Sequence, residues 1–262
     1  MNVEARLEML LEELRQALPD PFHLRAGYED FLRLSAAREL LANRESSTEC
    51  IIRFLGTNPD PALVRPAMLV LARFPELFYQ RLLGIVERAG MGLIEALDAG
   101  FWFMQVPEEQ VARDLVSIVR STDNPYPLVL LQRPAARVVR SGLAELVRQR
   151  RLPVSLSALY CYGYGTGPED TPLLRQVSAW TDIPEMAALA GVDLLKLGSK
   201  EGLAGIRAGL MAADLDLMKI TYHDVAQFLS GSALTEAGYD PFAEEERQTA
   251  AGRLIHHLQY DQ

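Results

Sequence analysis

The feature that most constrains this chain is its punctuation. Amphipathic segments of one helix length are closed by Pro, Gly, Asn or Asp and then begun again, along almost the whole sequence. Between Asn58 and Gly90 the chain reads Asn58-Pro59-Asp60-Pro61, then Ala62 to Phe74, then Pro75, then Glu76 to Ala89. Asp60 offers an acceptor to the free amides of a helix start, Pro61 suits a first turn where the N–H has no partner, and Gly90 suits a stop. Leu63, Met68, Leu71 and Phe74 on the first segment, and Phe78, Leu82, Ile85 and Val86 on the second, recur near a helical period. The pattern predicts a helical hairpin whose apolar stripes pack together.

The same grammar returns. Asp123-Asn124-Pro125 opens the stretch Ser121 to Pro153, and Pro134 restarts a helix carrying Val138, Val139, Leu143, Leu146 and Val147. Gly167 to Gly198 opens at Pro168-Glu169-Asp170 and breaks at Asp182-Ile183-Pro184, and Ser199 to Gly231 breaks near Ala213-Asp214. With Ala26 to Thr57 and Met91 to Arg120, these tile the chain at a period of roughly 30–33 residues, the range of stacked helical pairs. The Thr-Pro-Leu-His turn of ankyrin repeats and the Trp, Gly and Tyr spacing of tetratricopeptide units are absent.

The turns Asn58-Pro59-Asp60-Pro61 and Asp123-Asn124-Pro125 resemble the inter-repeat turns of HEAT-like α-solenoids, especially the short bacterial variety, over Ala26 to Gly231. The resemblance implies an all-α fold, a right-handed superhelix of stacked antiparallel helix pairs, in a single domain over residues 1–262. In that reading residues 1–25 form an N-terminal cap helix, with Leu7, Leu10, Leu11, Leu14 and Leu18 as its apolar stripe. Helical pairs occupy 26–231, with an inserted loop at 154–166. A C-terminal helix occupies 232–262, with Glu244 to Glu246 near its start and Arg253, His256 and His257 near its end, the charge order a helix dipole favours.

Composition narrows the class of protein. Apolar residues make up 49% of the chain, which is too much for disorder and enough for a large core. The net charge of -9 argues against nucleic acid and anionic lipid, whose binding rests on many cationic contacts to phosphate. Met1 to Leu18 lacks the basic start and unbroken apolar centre of a signal peptide, and no stretch is long and apolar enough to span a membrane. Cys50 and Cys161 are far apart in apolar contexts, as thiols that pack as small hydrophobes in a reducing cytoplasm.

Two features outside the repeat grammar are candidates for contact with a partner. Arg133, Arg137, Arg140, Arg148 and Arg151, with Arg150 nearby, fall at steps that hold them near one face of a continuous helix, and such a stripe can grip carboxylates or phosphates in bidentate fashion. The alternative is a solvated face paired with Glu108, Glu109, Asp114 or Glu169 of neighbouring units. The stretch Tyr160-Cys161-Tyr162-Gly163-Tyr164-Gly165-Thr166-Gly167 reads as an aromatic, glycine-rich insertion, either a loop that closes on a ligand or a connector whose tyrosines pack locally. It lacks the preceding strand and the Lys-Ser/Thr signature of a phosphate cradle. The contact residues expected are Arg137, Arg140, Arg148, Tyr160, Tyr162 and Tyr164.

Other polar groups carry less. Tyr222-His223-Asp224 puts neighbours on different helix faces, His256-His257 lacks the three- or four-residue step of a helical metal pair, and His23 stands alone. Phe101-Trp102-Phe103-Met104 covers all sides of a helix and reads as core, with Trp102 beside Phe78 or Tyr79 as a hydrophobic patch if it faces out. No catalytic residue, cofactor or metal is assigned. The function expected is a cytoplasmic, bacterial protein-binding adaptor or scaffold, including an inhibitor or immunity-type binder that sets negative charge against a basic partner. The alternative is an enzyme on a HEAT-like scaffold, similar to a bilin lyase or an alkyl-base DNA glycosylase, the latter resting on Trp180 with Asp182 and Arg175.

Overall fold

Helices start and stop where the sequence places its Pro, Asp and Gly residues. The computed structural model describes residues 3–18, 24–57, 59–131 and 133–206. Among these residues the protein is all-helical, with thirteen α-helices, three short 3-10 turns and no strand. The helices gather into two compact units, residues 1–131 and 132–262. The predicted C-terminal helix, the Ser199 to Gly231 pair beyond Ile206 and all four histidines lie outside the described residues.

The first unit contains α1 (Val3–Gln16), α2 (Leu24–Leu32), α3 (Ser35–Ala42), α4 (Arg44–Leu55), α5 (Pro61–Leu71), α6 (Pro75–Val86), α7 (Met91–Phe103) and α8 (Glu108–Thr122). The two segments read from the sequence as a hairpin are α5 and α6, but their apolar stripes pack elsewhere, α5 chiefly on α7 and α1 and α6 on α4. Asp60 Oδ1 accepts the Ala62 amide at 2.9 Å, and Pro61 and Pro75 occupy the first turns. Leu7, Leu10, Leu11 and Leu14 bury the stripe of α1, which packs on α3, α4 and α5 and so covers more than the first helical pair. Helices two apart in sequence lie side by side, α4 on α6 and α5 on α7.

α8 shows the local logic most plainly. Glu108 and Glu109 sit at its positive end, Arg120 in its last turn, and Ala112, Leu115, Val116 and Val119 are buried at steps of three, one and three. The Asp123-Asn124-Pro125 turn that follows does not open an α-helix as expected. Asp123 takes a left-handed φ of 58°, Asn124 Oδ1 accepts the Tyr126 amide at 3.1 Å, and only the 3-10 turn Tyr126–Leu130 follows. Pro125 and Pro127 supply no N–H to a helical ladder there, which favours the short turn.

The second unit contains α9 (Arg133–Ala136), α10 (Arg140–Arg148), α11 (Val154–Tyr162), α12 (Thr171–Ser178) and α13 (Pro184–Lys196). Its packing pairs are α10 with α11, α12 with α13 and α11 with α13. Two sequence expectations are corrected here. The helix restarted at Pro134 is a single turn, interrupted at 137–139 before α10 begins, so Arg137 and Arg140 do not share one continuous helix. The stretch expected as an inserted loop at 154–166 begins instead with the nine-residue α11, whose residues 154–159, Cys161 and Tyr162 are all buried. A helix buried at every position but Tyr160 has no polar face and therefore no amphipathic signature.

Near the end of the described chain, α13 meets the segment 202–206 backbone to backbone. A Cβ on Gly191 would lie 2.5 Å from the Gly202 carbonyl oxygen and 2.8 Å from Ile206, so both glycines are required by the approach.

Candidate functional site

Among the described residues of the second unit, a dense polar cluster is built on Asp170, a residue the sequence reading did not single out. Asp170 ends the 3-10 turn Pro168–Asp170 and is buried, with 4% of its surface exposed. Its carboxylate accepts the Gly167 amide at 2.6 Å, the Tyr162 hydroxyl at 2.5 Å, Arg140 Nε at 2.7 Å and Arg140 Nη2. Four donors match the four lone-pair sites of a carboxylate. The remaining Arg140 donor, Nη1, reaches the Gly165 carbonyl at 2.5 Å, and the guanidinium lies 4.3 Å from the Tyr162 ring centroid.

The electrostatics fix the charge state. Burial alone would raise the Asp170 carboxyl, but the bonds from the Gly167 amide, Tyr162 and Arg140 outweigh it and hold the group below the ordinary carboxylate range. Burial, and then the bond to Asp170, pushes the Tyr162 phenol up to about 12. Near neutral pH the cluster is therefore an anion, a cation and a neutral phenol with matched partners. Such a cluster shapes the chain: one guanidinium ties the start of α10 to Gly165, Asp170 and the end of α11.

Outside this hub lie the other expected contact residues. Tyr160 and Tyr164 are half-buried and meet edge to face, with centroids 5.0 Å apart at 70°. Arg137 is exposed and its stem lies on Gly165, where a Cβ would come 2.9 Å from Arg137 Cγ. Arg148 is exposed at the far end of α10, about 12 Å from Arg140 along the helix axis. The structure thus brings Arg137, Tyr160 and Tyr164 to one loop, turns Arg140 and Tyr162 inward beneath it, and leaves Arg148 apart.

The remaining candidates are satisfied by neighbours. Arg150, at a left-handed φ of 57°, pairs with Asp182 and stacks 4.5 Å from the Trp180 ring, while Arg175 pairs with Glu201. Trp180 and Asp182 thus meet on Arg150, while Arg175 is engaged by Glu201. Of the partners expected for the arginine stripe, Glu109 pairs with Arg113 in the first unit. In the first unit Trp102 is 60% exposed and its indole donates to Asp98 at 3.2 Å, while Phe78 and Tyr79 are buried and give it no aromatic patch. The Tyr79 hydroxyl instead donates to Asp114 at 2.9 Å.

One buried group was missed for lack of a motif. Asp193 sits at 1% exposure on α13, with Lys196 Nζ donating to its Oδ1 at 2.9 Å. The only sequence signal was an acid inside an apolar run with a lysine three residues on. Among the described residues no group of three or more His, Cys, Asp or Glu side chains could hold a metal, and no helix is long and apolar enough to cross a membrane. Comparison with protein-family models, with curated proteins and with solved structures finds no match to this chain.

Proposed function

We propose that this protein is a cytoplasmic binding module of stacked helical pairs that captures an acidic segment of a partner protein at the Gly163 to Gly167 loop. The observation that carries the proposal is the Arg140 to Asp170 hub, which holds that loop from beneath through its own carbonyl and amide groups. A loop whose shape is set before a partner arrives loses less freedom on binding. On its outer side it presents an arginine fork and an aromatic pair, the residue types that anchor interfaces.

Arg137 is the proposed grip on a carboxylate, with Tyr160 and Tyr164 as the apolar floor and Arg148 as a more distant electrostatic contact. The packing of α10 on α11, of α12 on α13 and of α11 on α13 supports stacked helical pairs of the HEAT-like kind, because each pair then also meets the next. Cys50 and Cys161 form no disulfide, which accords with a reducing compartment.

Selection from a displayed random-peptide library against the immobilised protein tests the proposal. Enriched peptides are expected to carry clusters of Asp and Glu, and to lose about tenfold or more in affinity against Arg137→Glu, since the fork is replaced by a like charge. Enrichment without acidic bias, or equal binding by the variant, would refute it.

A further inference from the structure

We infer that a second site, in the first unit, binds a small uncharged amphiphile such as an aliphatic alcohol or amide in a cavity between α1, α3 and α4. The cavity has a volume of about 430 Å³, within the range of small-molecule sites. Its floor is Leu7 and Leu10 of α1 and Leu40 of α3, all buried, with the half-buried Cys50 of α4 beside them. The geometry follows from the sequence: Leu7 and Leu10 stand three apart on the α1 stripe, while Ser46 and Cys50 stand four apart on α4 and bring its polar and apolar ends to the same cleft.

The charge on the walls selects the ligand. Among the described residues Arg6 and Glu39 are the only Arg, Lys, Asp or Glu side chains lining the cavity, and they neutralise each other through two bonds, Nε to Oε1 at 2.9 Å and Nη2 to Oε2 at 2.5 Å. A charged head at the mouth finds no unpaired counter-charge there, because this half-exposed pair is already matched. A hydroxyl or amide instead meets Asn43, Ser46 and Ser47, which offer both donors and acceptors at the mouth. The cavity therefore matches an apolar tail with one neutral hydrogen-bonding head. This site is independent of the loop proposed to hold a protein partner.

Cys50 makes the test direct. Cys161, the other thiol, is buried and pushed up to about 12 by that burial, so alkylation of the folded protein by N-ethylmaleimide reports Cys50. With the full chain, 1-octanol is expected to slow alkylation of Cys50 saturably, and 1-hexanol to do so with a midpoint about tenfold higher for the loss of two buried methylenes. Octanoate and octylammonium should require about tenfold more than octanol, because each brings an uncompensated charge.

Ser46→Trp places a large side chain at the exposed mouth and should abolish the alcohol's effect while leaving the far-ultraviolet circular dichroism unchanged. The unsubstituted protein carries the test even if that variant misfolds. Absence of saturable protection by octanol, protection by the ions at equal concentration, or full protection in a folded Ser46→Trp protein would each overturn the inference.

Discussion

Asp170 is the residue on which the second unit's polar order turns, and it makes two predictions. Arg140→Met would leave its carboxylate buried without a cation. Unfolding in urea should show a loss of about 2–4 kcal/mol, against about 0.5 kcal/mol or less for Arg148→Met at an exposed position. The second prediction concerns pH. The carboxyl titrates at lower pH in the folded chain than in the unfolded one, where it ionises near about 3.9. The stabilisation is thus complete above the unfolded value and lost as pH falls through the folded one. The advantage of the native protein over Asp170→Asn in urea should hold steady down to about pH 5 and shrink below about pH 4. An advantage that grows on acidification would contradict the assignment. Helical spacing drew attention to Arg140, and an aromatic, glycine-rich stretch to Tyr162, as outward contacts. Spacing defines a face on an assumed helix, and the turn at 137–139 and the partner 30 residues away are invisible to it.

At the scale of the element, α11 and α13 show what periodicity can and cannot reveal. The breaks at Pro61, Pro75 and Pro184 were legible because a first-turn proline has a local chemical cause. α11 was hidden by its enclosure and by the glycines that follow it. Its place is fixed partly by Ser155, fully buried, whose Oγ accepts the Arg151 amide at 2.8 Å and donates to the Leu146 carbonyl at 2.7 Å. Ser155→Ala leaves both backbone groups unmatched and should cost about 1–3 kcal/mol in urea unfolding. Gly191→Ala forces α13 off the 202–206 segment and should cost about 1–3 kcal/mol, whereas Gly92→Ala on α7 meets no neighbouring atom within 4 Å and should not destabilise. Equal effects of the two glycine substitutions would show that the close approach is not what matters.

For the whole molecule, the all-helical class was readable from punctuation alone, while the gathering of helices was not. That α1 packs on α5, across more than forty residues of chain, is a long-range choice that no local rule specifies. The first unit has its own buried core, including Leu11, Leu14, Met68, Phe78 and Leu115. A chain ending at Leu131 is therefore expected to keep helical circular dichroism and a cooperative thermal transition; a non-cooperative melt would mean that this core is not self-sufficient. The central claim is that the loop at Gly163 to Gly167 is a surface for a protein partner. Its most direct test is affinity capture from an extract of the native host at low and moderate salt, with an Arg137→Glu, Tyr164→Ala variant alongside. The account predicts a stoichiometric partner that weakens with salt and is lost in the variant; a partner held equally by both proteins, or none held by either, would contradict it.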